Sequence, residues 1–453
     1  MKIERVELYY VKIPLSGDRP GFFDERVVFE PNWIPGYHQT DLRFYLLRLV
    51  TDAGLDGVAA IPAMGRERES LGALLGAYLL GLNPLDMRLV NQRIEEFSIL
   101  GMRNGWIDAA FWDLVGKIRR EPLFRVLGGE GGFAVPYASL GSNHEHDPAV
   151  VARLVAERRG EGYAGVKIRV KSDDLEKMVA VVAAAREAAG ESMELMVDAN
   201  LGWPVELVEK SPRWDEDFAL RFLEHIEPYR ISWLEEPLHR ADHEALARLR
   251  RRSKVPIAGG EATPSWREFR SMLDAGSLDV YQPDAVLAGG TYGGGVSVVR
   301  WLVREIRRRN HAAREKNEDR PLRFSPHTWT NGLGFAVNLH LFGLLPPAER
   351  GLFELPHDLY WQMPQWARFL RHGFARDDAG RIRIPDEPGL GVEIDWEVIG
   401  RFGKRIDVVT KASLAAWTVL DHGWREAVYL RNKKREVEDR SALAEFALPE
   451  PPF

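Results

Sequence analysis

The sequence contains no cysteine, which excludes disulfide bonds and thiolate metal sites. Its longest apolar run, from Leu71 to Leu82, is about a dozen residues and is too short to span a membrane. There is no excess of positive charge either, because the formal net charge is -6, and this gives no basis for nucleic-acid binding. The segment from Met1 to Leu8 carries charges where a signal peptide needs an apolar run. These absences predict a soluble cytoplasmic protein without nucleic-acid or membrane partners.

At 453 residues the chain is too long for one hydrophobic core, so more than one structural unit is expected. In the first part, Val6, Leu8 and Tyr10 alternate as in a strand, and further strand patterns follow. A helical period then begins near Trp106 and continues to Ile118. Strands followed by helices predict an α+β unit.

From Val135 onward, short apolar strands alternate with amphipathic helical patterns such as Phe269, Met272 and Leu273. Eight β-α units over roughly 250 residues are typical of a (β/α)8 TIM-type barrel, so the fold class is α/β. The predicted strands are Val135–Leu140, Gly165–Val170, Glu194–Val197, Ile231–Leu234, Pro256–Ala258, Asp279–Gln282, Leu322–Ser325 and Leu352–Leu355.

Each predicted strand after the first ends in polar or ionisable residues, at the barrel end where such folds carry their chemistry. A single carboxylate at a strand end is usually a helix cap or a surface charge. Seven successive strand ends are hard to explain in that way, because converging carboxylates repel each other unless a cation sits among them. The residues are Lys167 and Arg169, Asp198 and Asn200, Glu235, Glu261, Asp284, His327 and Glu354.

Asp198, Glu235 and Glu261 are the predicted metal ligands, since they follow three neighbouring strands. Three hard oxygen ligands, without cysteine or clustered histidine, select Mg²⁺ over zinc or copper. The alternative is that they are three unrelated capping carboxylates.

With these motifs the sequence resembles the mandelate racemase branch of the enolase superfamily over nearly its whole length. The resemblance implies an N-terminal capping domain, a modified barrel and a C-terminal segment that returns to the cap. It also implies one Mg²⁺ that holds the substrate carboxylate, so that an enediolate can form. The matching residues are Gly162–Arg169, Asp198–Asn200, Glu235–Pro237, Gly260–Glu261, Gln282–Asp284, Ser325–His327 and Pro388–Glu393.

The resemblance assigns His327 and Asp284 to a catalytic dyad, in which the aspartate fixes the imidazole tautomer and raises its basicity. Glu354 corresponds to a residue that hydrogen-bonds the substrate carboxylate as charge builds there, and it would donate if protonated. Many relatives have Lys-x-Lys on strand two, whereas the second position here is Arg169. Arginine stays protonated in proteins and is a poor base, which argues against two-base racemisation. Lys167 is expected to contact the substrate carboxylate or the metal-bound oxygen.

The chain is predicted to divide into a capping domain (residues 1–130), a barrel (131–385) and a C-terminal segment with an extension (386–453). The connection from Leu15 to Asp41 is longer than a hairpin needs and suggests a substrate lid. Within it Trp33, Tyr37 and His38 are assigned to the substrate site together with Asn200, and loop packing is the alternative for the aromatic residues. The helix-like stretch Lys411–Val437 is expected to pack on a second subunit in a homo-oligomer.

The function expected from these residues is dehydration of an acid sugar, a small carboxylate substrate, with His327 removing the α-proton. Within the superfamily the alternatives are a racemase, an epimerase or a cycloisomerase. An alternative of another class is a non-catalytic sugar-acid binding protein, which would need no His–Asp pair.

Overall fold

The computed structural model describes residues 1–14, 30, 34, 37–69, 71–99, 103–141, 147–206, 209–291, 293–315, 320–357 and 363–439. Most of the predicted lid, including Trp33, lies outside these residues.

Strands and helices are grouped in the first part of the chain and alternate after it, as predicted. The strands are β1 (Ile3–Pro14), β2 (Asp41–Thr51), β3 (Asp56–Pro62), β4 (Phe133–Ala134), β5 (Pro136–Leu140), β6 (Gly165–Arg169), β7 (Glu194–Asp198), β8 (Leu234–Glu235), β9 (Ile257–Gly259), β10 (Val280–Tyr281), β11 (Arg323–Phe324), β12 (Phe353–His357), β13 (Ile382–Arg383) and β14 (Gly403–Thr410). The helices are α1 (Leu71–Leu79), α2 (Met87–Ile99), α3 (Asp108–Arg119), α4 (Leu123–Val126), α5 (Pro148–Gly160), α6 (Leu175–Ala189), α7 (Glu216–Ile226), α8 (His243–Arg252), α9 (Trp266–Ala275), α10 (Gly295–Glu315), α11 (Gly332–Phe342), α12 (Met363–Trp366), α13 (Trp396–Phe402) and α14 (Lys411–Asp439).

The N-terminal sheet is antiparallel, with the strand order β14-β1-β2-β3. Gly54, with φ 80°, allows the tight turn between β2 and β3. At the other edge Thr410 of β14 pairs with Arg5 of β1, so the C-terminal segment does return to the cap. The boundaries at residues 130 and 385 stay predictions.

The second sheet is parallel and curled, in the order β11-β10-β9-β8-β7-β6-β5-β12. Its two edge strands, β11 and β12, lie close together. The Ser325 Oγ after β11 donates to the carbonyl oxygen of Leu352 before β12 at 3.0 Å. Helices follow most of its strands, and Phe269 and Met272 of α9 are buried as their spacing predicted. The predicted TIM-type fold with an α+β cap is therefore confirmed.

Apolar side chains fill the inside of the curled sheet beneath its C-terminal rim. Tyr137 and Trp233 meet edge to face with their ring centroids 5.7 Å apart, and Met196, Ala258 and Val280 complete the cluster. Layers of this kind close the barrel interior and leave the rim as the place for polar groups.

The cap is fixed to the barrel by two polar side chains, one at the start of α3 and one in the segment before it. Asp108 of α3 accepts hydrogen bonds from the backbone N–H groups of Val296 (3.1 Å) and Ser297 (2.9 Å), in the first turn of α10. Arg103 donates to the carbonyl oxygen of Ala262 at 2.7 Å, next to the rim residue Glu261. The cap thus contacts the rim directly.

The predicted C-terminal helix is present as α14, but it is interrupted at Gly423, where φ is 80°. Leu420 and Trp424 on this helix are 81% and 71% exposed. Packing of α14 on a second subunit stays a prediction. In the described part of the chain, no helix has the length and apolar character needed to cross a membrane.

Candidate active site

The C-terminal rim of the curled sheet gathers the residues that the sequence indicated. Neighbouring parallel strands end at the same edge, so the side chains after them converge. The structure places Lys167, Arg169, Asp198, Glu235, Glu261, Asp284, His327 and Glu354 at this rim, and each of them is buried.

Lys167 stands between carboxylates at the centre of the rim. Its Nζ lies 2.7 Å from Glu235 Oε2 and 2.7 Å from Glu354 Oε1, and 3.7 Å from Asp198 Oδ2. Burial alone would lower the pKa of Lys167, but the charges of Glu235 and Glu354 outweigh it and hold the pKa well above its usual value. Lys167 is therefore a fixed cation and has no lone pair with which to act as a base.

Glu354 is an ionised hydrogen-bond acceptor. Its oxygens accept from Lys167, from the Thr328 backbone N–H at 2.9 Å and from Trp329 Nε1 at 3.1 Å. Burial would raise the pKa of Glu354, but the cation of Lys167 outweighs it and lowers the pKa to about 2. The role of proton donor that the sequence left open for Glu354 does not fit this arrangement.

Arg169 is held on three sides. Its NH1 lies 2.7 Å from Asp198 Oδ2 and 2.6 Å from Asn200 Oδ1, and its Nε donates to the carbonyl oxygen of Leu140 at 3.0 Å. The guanidinium carbon lies 4.8 Å from the ring centroid of Trp329. Asn200 thus binds the guanidinium, and its predicted contact with the substrate stays a prediction; Arg169 presents a positive charge of fixed position.

His327 and Asp284 form the predicted pair, with His327 Nδ1 3.0 Å from Asp284 Oδ2. The other ring nitrogen, Nε2, lies 3.4 Å from Glu261 Oε2. Burial would lower the pKa of His327, but the charge of Glu261 and the hydrogen bond to Asp284 outweigh it and raise the pKa to about 9. Nδ1 is therefore bound by the aspartate, and Nε2 is the nitrogen available for proton transfer.

The metal ligands predicted from sequence lie at neighbouring strand ends, but their oxygens are partly occupied. Lys167 binds Glu235 and Arg169 binds Asp198, and no three carboxylate or imidazole groups of the described residues meet around one cation position as they stand. The donor chemistry nevertheless fits Mg²⁺, because all three groups offer hard oxygens. Glu235 Oε1 is buried and has no hydrogen-bond partner in the described chain, which leaves one oxygen ready for a cation.

Glu236 adds a further buried carboxyl group behind this set, and neither of its oxygens has a partner among the described residues. Glu236 has a φ of 47°, and its side chain lies against Gly202 in the loop that follows β7. A Cβ at Gly202 would stand 2.2 Å from Glu236 Oε1, so a larger residue there would displace the carboxyl group. Burial and the charge of Glu261 raise the pKa of Glu236 well above its usual value. A raised pKa favours the neutral form of Glu236, and the excess of acid comes from the other five carboxyl groups of the rim. They outnumber the cationic side chains, which is the electrostatic condition for binding a further cation; the carboxyl groups are Asp198, Glu235, Glu261, Asp284 and Glu354, and the cationic side chains are Lys167, Arg169 and His327.

Four contacts of this site were not predicted from the sequence. Gln282 Nε2 donates to Glu235 Oε2 at 2.9 Å, and Trp203 Nε1 donates to Glu261 Oε1 at 2.8 Å. Trp329 bonds Glu354, and Asn338 Nδ2 donates to Asp284 Oδ1 at 3.0 Å. Gln282 and Trp329 lie within two residues of predicted site residues, and Asn338 is a polar residue inside the apolar helix α11, so both signals were present in the sequence.

Two of the predicted lid residues form hydrogen bonds within the lid. Tyr37 OH donates to Gln39 Oε1 at 2.9 Å, and His38 Nδ1 lies 2.6 Å from Glu30 Oε1. Trp33 lies outside the described residues. The assignment of these three residues to the substrate site stays a prediction.

Comparison with known proteins shows which family the chain resembles. The model of the family described as "Enolase C-terminal domain-like" matches residues 150–296 and 303–398, more than half of the chain. D-galactarolactone cycloisomerase of Agrobacterium fabrum is 29% identical over 65% of this chain and 72% of its own. D-gluconate dehydratase of Thermoproteus tenax is 27% identical over 69% of this chain and 58% of its own.

Solved structures show the same fold. The crystal structure of L-talarate dehydratase from Polaromonas sp. JS666, complexed with Mg and L-glucarate, has a TM-score of 0.67 and 22% identity, over 90% of this chain and 99% of that one. Family match, fold and rim agree: the chain belongs to the enolase superfamily, in its mandelate racemase-like branch, a group of enzymes that includes lyases and isomerases.

Proposed function

We propose that His327 removes the α-proton of a carboxylate substrate and that the reaction is dehydration of an acid sugar to a 2-keto-3-deoxy acid. The observation that carries this proposal is the contrast between the two sides of the site. One side offers a histidine oriented by Asp284, whereas the other offers Lys167 and Arg169, both held as cations by carboxylates.

Asp198, Glu235 and Glu261 would hold the metal, and Mg²⁺ bound there would supply Lewis-acid stabilisation of the negative charge that develops on the substrate carboxylate. The chain adds Lys167 and Arg169, two fixed positive charges in a water-poor site, for the same developing charge. Because both cations are already in place, little reorganisation is needed when the charge forms.

The proton moves to His327 Nε2, since Nδ1 is occupied by Asp284. The pKa of about 9 reflects the negative charge of Glu261 close to Nε2. A cation held by Glu261 would neutralise that charge. The pKa of His327 would then fall towards the range in which a neutral imidazole base is present at physiological pH. The same imidazole, once protonated, would return the proton to the departing β-hydroxyl as water leaves. The enol that remains tautomerises to the 2-keto acid.

A second candidate is an isomerase, favoured by the similarity to a cycloisomerase. Racemisation by two bases needs a proton acceptor on each face of the enediolate. Lys167 lies between two carboxylates and Arg169 stays protonated, so neither residue supplies the second acceptor. This argues for a reaction on one configuration of the α-carbon.

The test is a panel of acid sugars incubated with the protein and Mg²⁺, with semicarbazide detection of 2-keto acids and NMR of the products. A 2-keto-3-deoxy product that disappears in His327→Asn supports the dehydratase. An epimer or a rearranged lactone without 2-keto acid would indicate the isomerase. Binding of an acid sugar without any turnover would leave only a binding protein.

A further inference from the structure

Asn338 is a fully buried polar residue in the middle of α11, a helix that is otherwise almost entirely apolar. We infer that Asn338 is a positioning residue, which fixes the orientation of Asp284 and thereby selects the tautomer of His327. The inference rests on the proposed function of His327 as the base, and it concerns a residue that does not touch the substrate.

The contacts around Asp284 leave it one orientation. Its Oδ1 accepts from the Val286 backbone N–H at 2.8 Å and from Asn338 Nδ2 at 3.0 Å. Asn338 Oδ1 in turn accepts from the Ala285 backbone N–H at 3.0 Å, so the amide of Asn338 cannot be turned round without placing two donors face to face. Asp284 Oδ1 is thus filled by two donors, and Oδ2 alone faces His327.

The consequence for the histidine follows from what each group can donate. An ionised carboxylate only accepts, so Asp284 Oδ2 requires a proton on His327 Nδ1. In the neutral imidazole Nε2 then keeps its lone pair, which is the form needed to take a proton from carbon. Asn338 contacts Asp284 and acts on the histidine only through this contact.

We expect Asp284→Asn to reverse the tautomer of His327. The two donors on Oδ1 remain, so the new amide keeps its carbonyl oxygen on that side and turns its NH2 group towards His327 Nδ1. The amide donor then imposes the opposite tautomer, with the proton on Nε2. Asp284→Ala has neither a donor nor an acceptor at Nδ1, and the tautomer is then biased by Glu261, whose Oε2 lies 3.4 Å from Nε2. Asp284→Asn is therefore expected to be slower than Asp284→Ala, although it is the more conservative change.

We expect Asn338→Leu to have opposite effects on the rate of α-proton exchange in the wild type and in Asp284→Asn. In the wild type it removes a donor from Asp284, and we expect exchange of the substrate α-proton to fall roughly tenfold, the equivalent of one hydrogen bond. In Asp284→Asn it removes one of the two groups that lock the amide, which can then turn, and we expect exchange to rise by several fold. A purely structural role for Asn338 would lower the rate, or leave it unchanged, in both backgrounds.

The experiment uses the full-length protein with ¹⁵N-labelled histidine, and NMR reports the protonated nitrogen of His327 at the alkaline limit of its titration. We expect an Nδ1 proton in the wild type, an Nε2 proton in Asp284→Asn, and a mixture in Asp284→Asn with Asn338→Leu. If the leucine variant does not fold, Asn338→Ala is the second variant, because it leaves no competing polar group. If the double variant carries the proton on Nε2 alone, as Asp284→Asn does, the inference is overturned. The NMR result needs no turnover: normal exchange in His327→Asn would instead refute the proposed function, whatever the tautomer.

Discussion

His340 offers a test of how the structure couples stability to pH. It is fully buried on α11, and its Nδ1 accepts from the Phe124 backbone N–H at 3.2 Å, so the proton lies on Nε2, which donates to the Leu390 carbonyl oxygen at 3.1 Å. The imidazole thereby joins the barrel to the end of the cap and to the C-terminal segment. Burial lowers the pKa of His340 to about 4.

The sign and size of the effect follow from this pKa. A folded-state pKa below the ordinary value of 6.5 means that the unfolded chain binds the proton more tightly. Stability from this group is complete above pH 6.5 and is lost as the pH falls towards 4. Between pH 7 and pH 5 the loss is about 2 kcal/mol, and below pH 4 it approaches about 3 kcal/mol.

His340→Gln removes the titration while it keeps a donor and an acceptor. Urea unfolding followed by tryptophan fluorescence at pH 7 and pH 5 measures the free energy of unfolding of each variant. We expect the wild type to lose about 2 kcal/mol more than His340→Gln between these two pH values. His311→Gln, on the exposed surface of α10, is the matched control and should behave as the wild type. Equal losses of stability in the wild type and His340→Gln would show that protonation of His340 is not the cause.

Three further predictions concern the rim. Asp198→Ala should lower turnover by about 10³-fold or more and remove most Mg²⁺-dependent thermal stabilisation, whereas Glu349→Ala, in a surface ion pair, should change neither; normal Mg²⁺ affinity by calorimetry would contradict the ligand set. Lys167→Met should lower the free energy of unfolding by about 3–5 kcal/mol in urea titrations, and by less at acidic pH, where the carboxylates left without a cation take up protons; a loss independent of pH would argue against this explanation. Arg169→Lys should permit weak α-proton exchange from the second face, seen by NMR as deuterated opposite epimer. Rapid interconversion of both epimers by the wild type would move the function to a racemase.

The sequence predicted the fold well because short parallel strands leave a strong signal. Each strand is an apolar run between amphipathic helices, and the eight barrel strands begin within three residues of their predicted starts. The helix α14 was also predicted, but its interruption at Gly423 was not, since a single glycine in a helical pattern is compatible with a continuous helix.

The sequence predicted which residues lie together at the rim, but not the contacts that they make there. Strand ends of a barrel share one rim, so Asp198, Glu235 and His327 were expected to converge. The sequence could not show that Lys167 lies between two carboxylates, because that depends on side-chain reach across strands that are distant in the chain. The same holds for Asn338, whose partner Asp284 is 54 residues away.

The central claim is that His327 is the base that removes the α-proton, and deuterium exchange tests it most directly. Wild type, His327→Asn and the control His311→Asn are incubated in D₂O with Mg²⁺ and a substrate from the acid-sugar panel, and NMR follows loss of the α-proton signal. We predict exchange with retention of configuration in the wild type and in the control, and a rate lower by about 10²–10⁴-fold in His327→Asn. Exchange by His327→Asn at the wild-type rate would contradict the account.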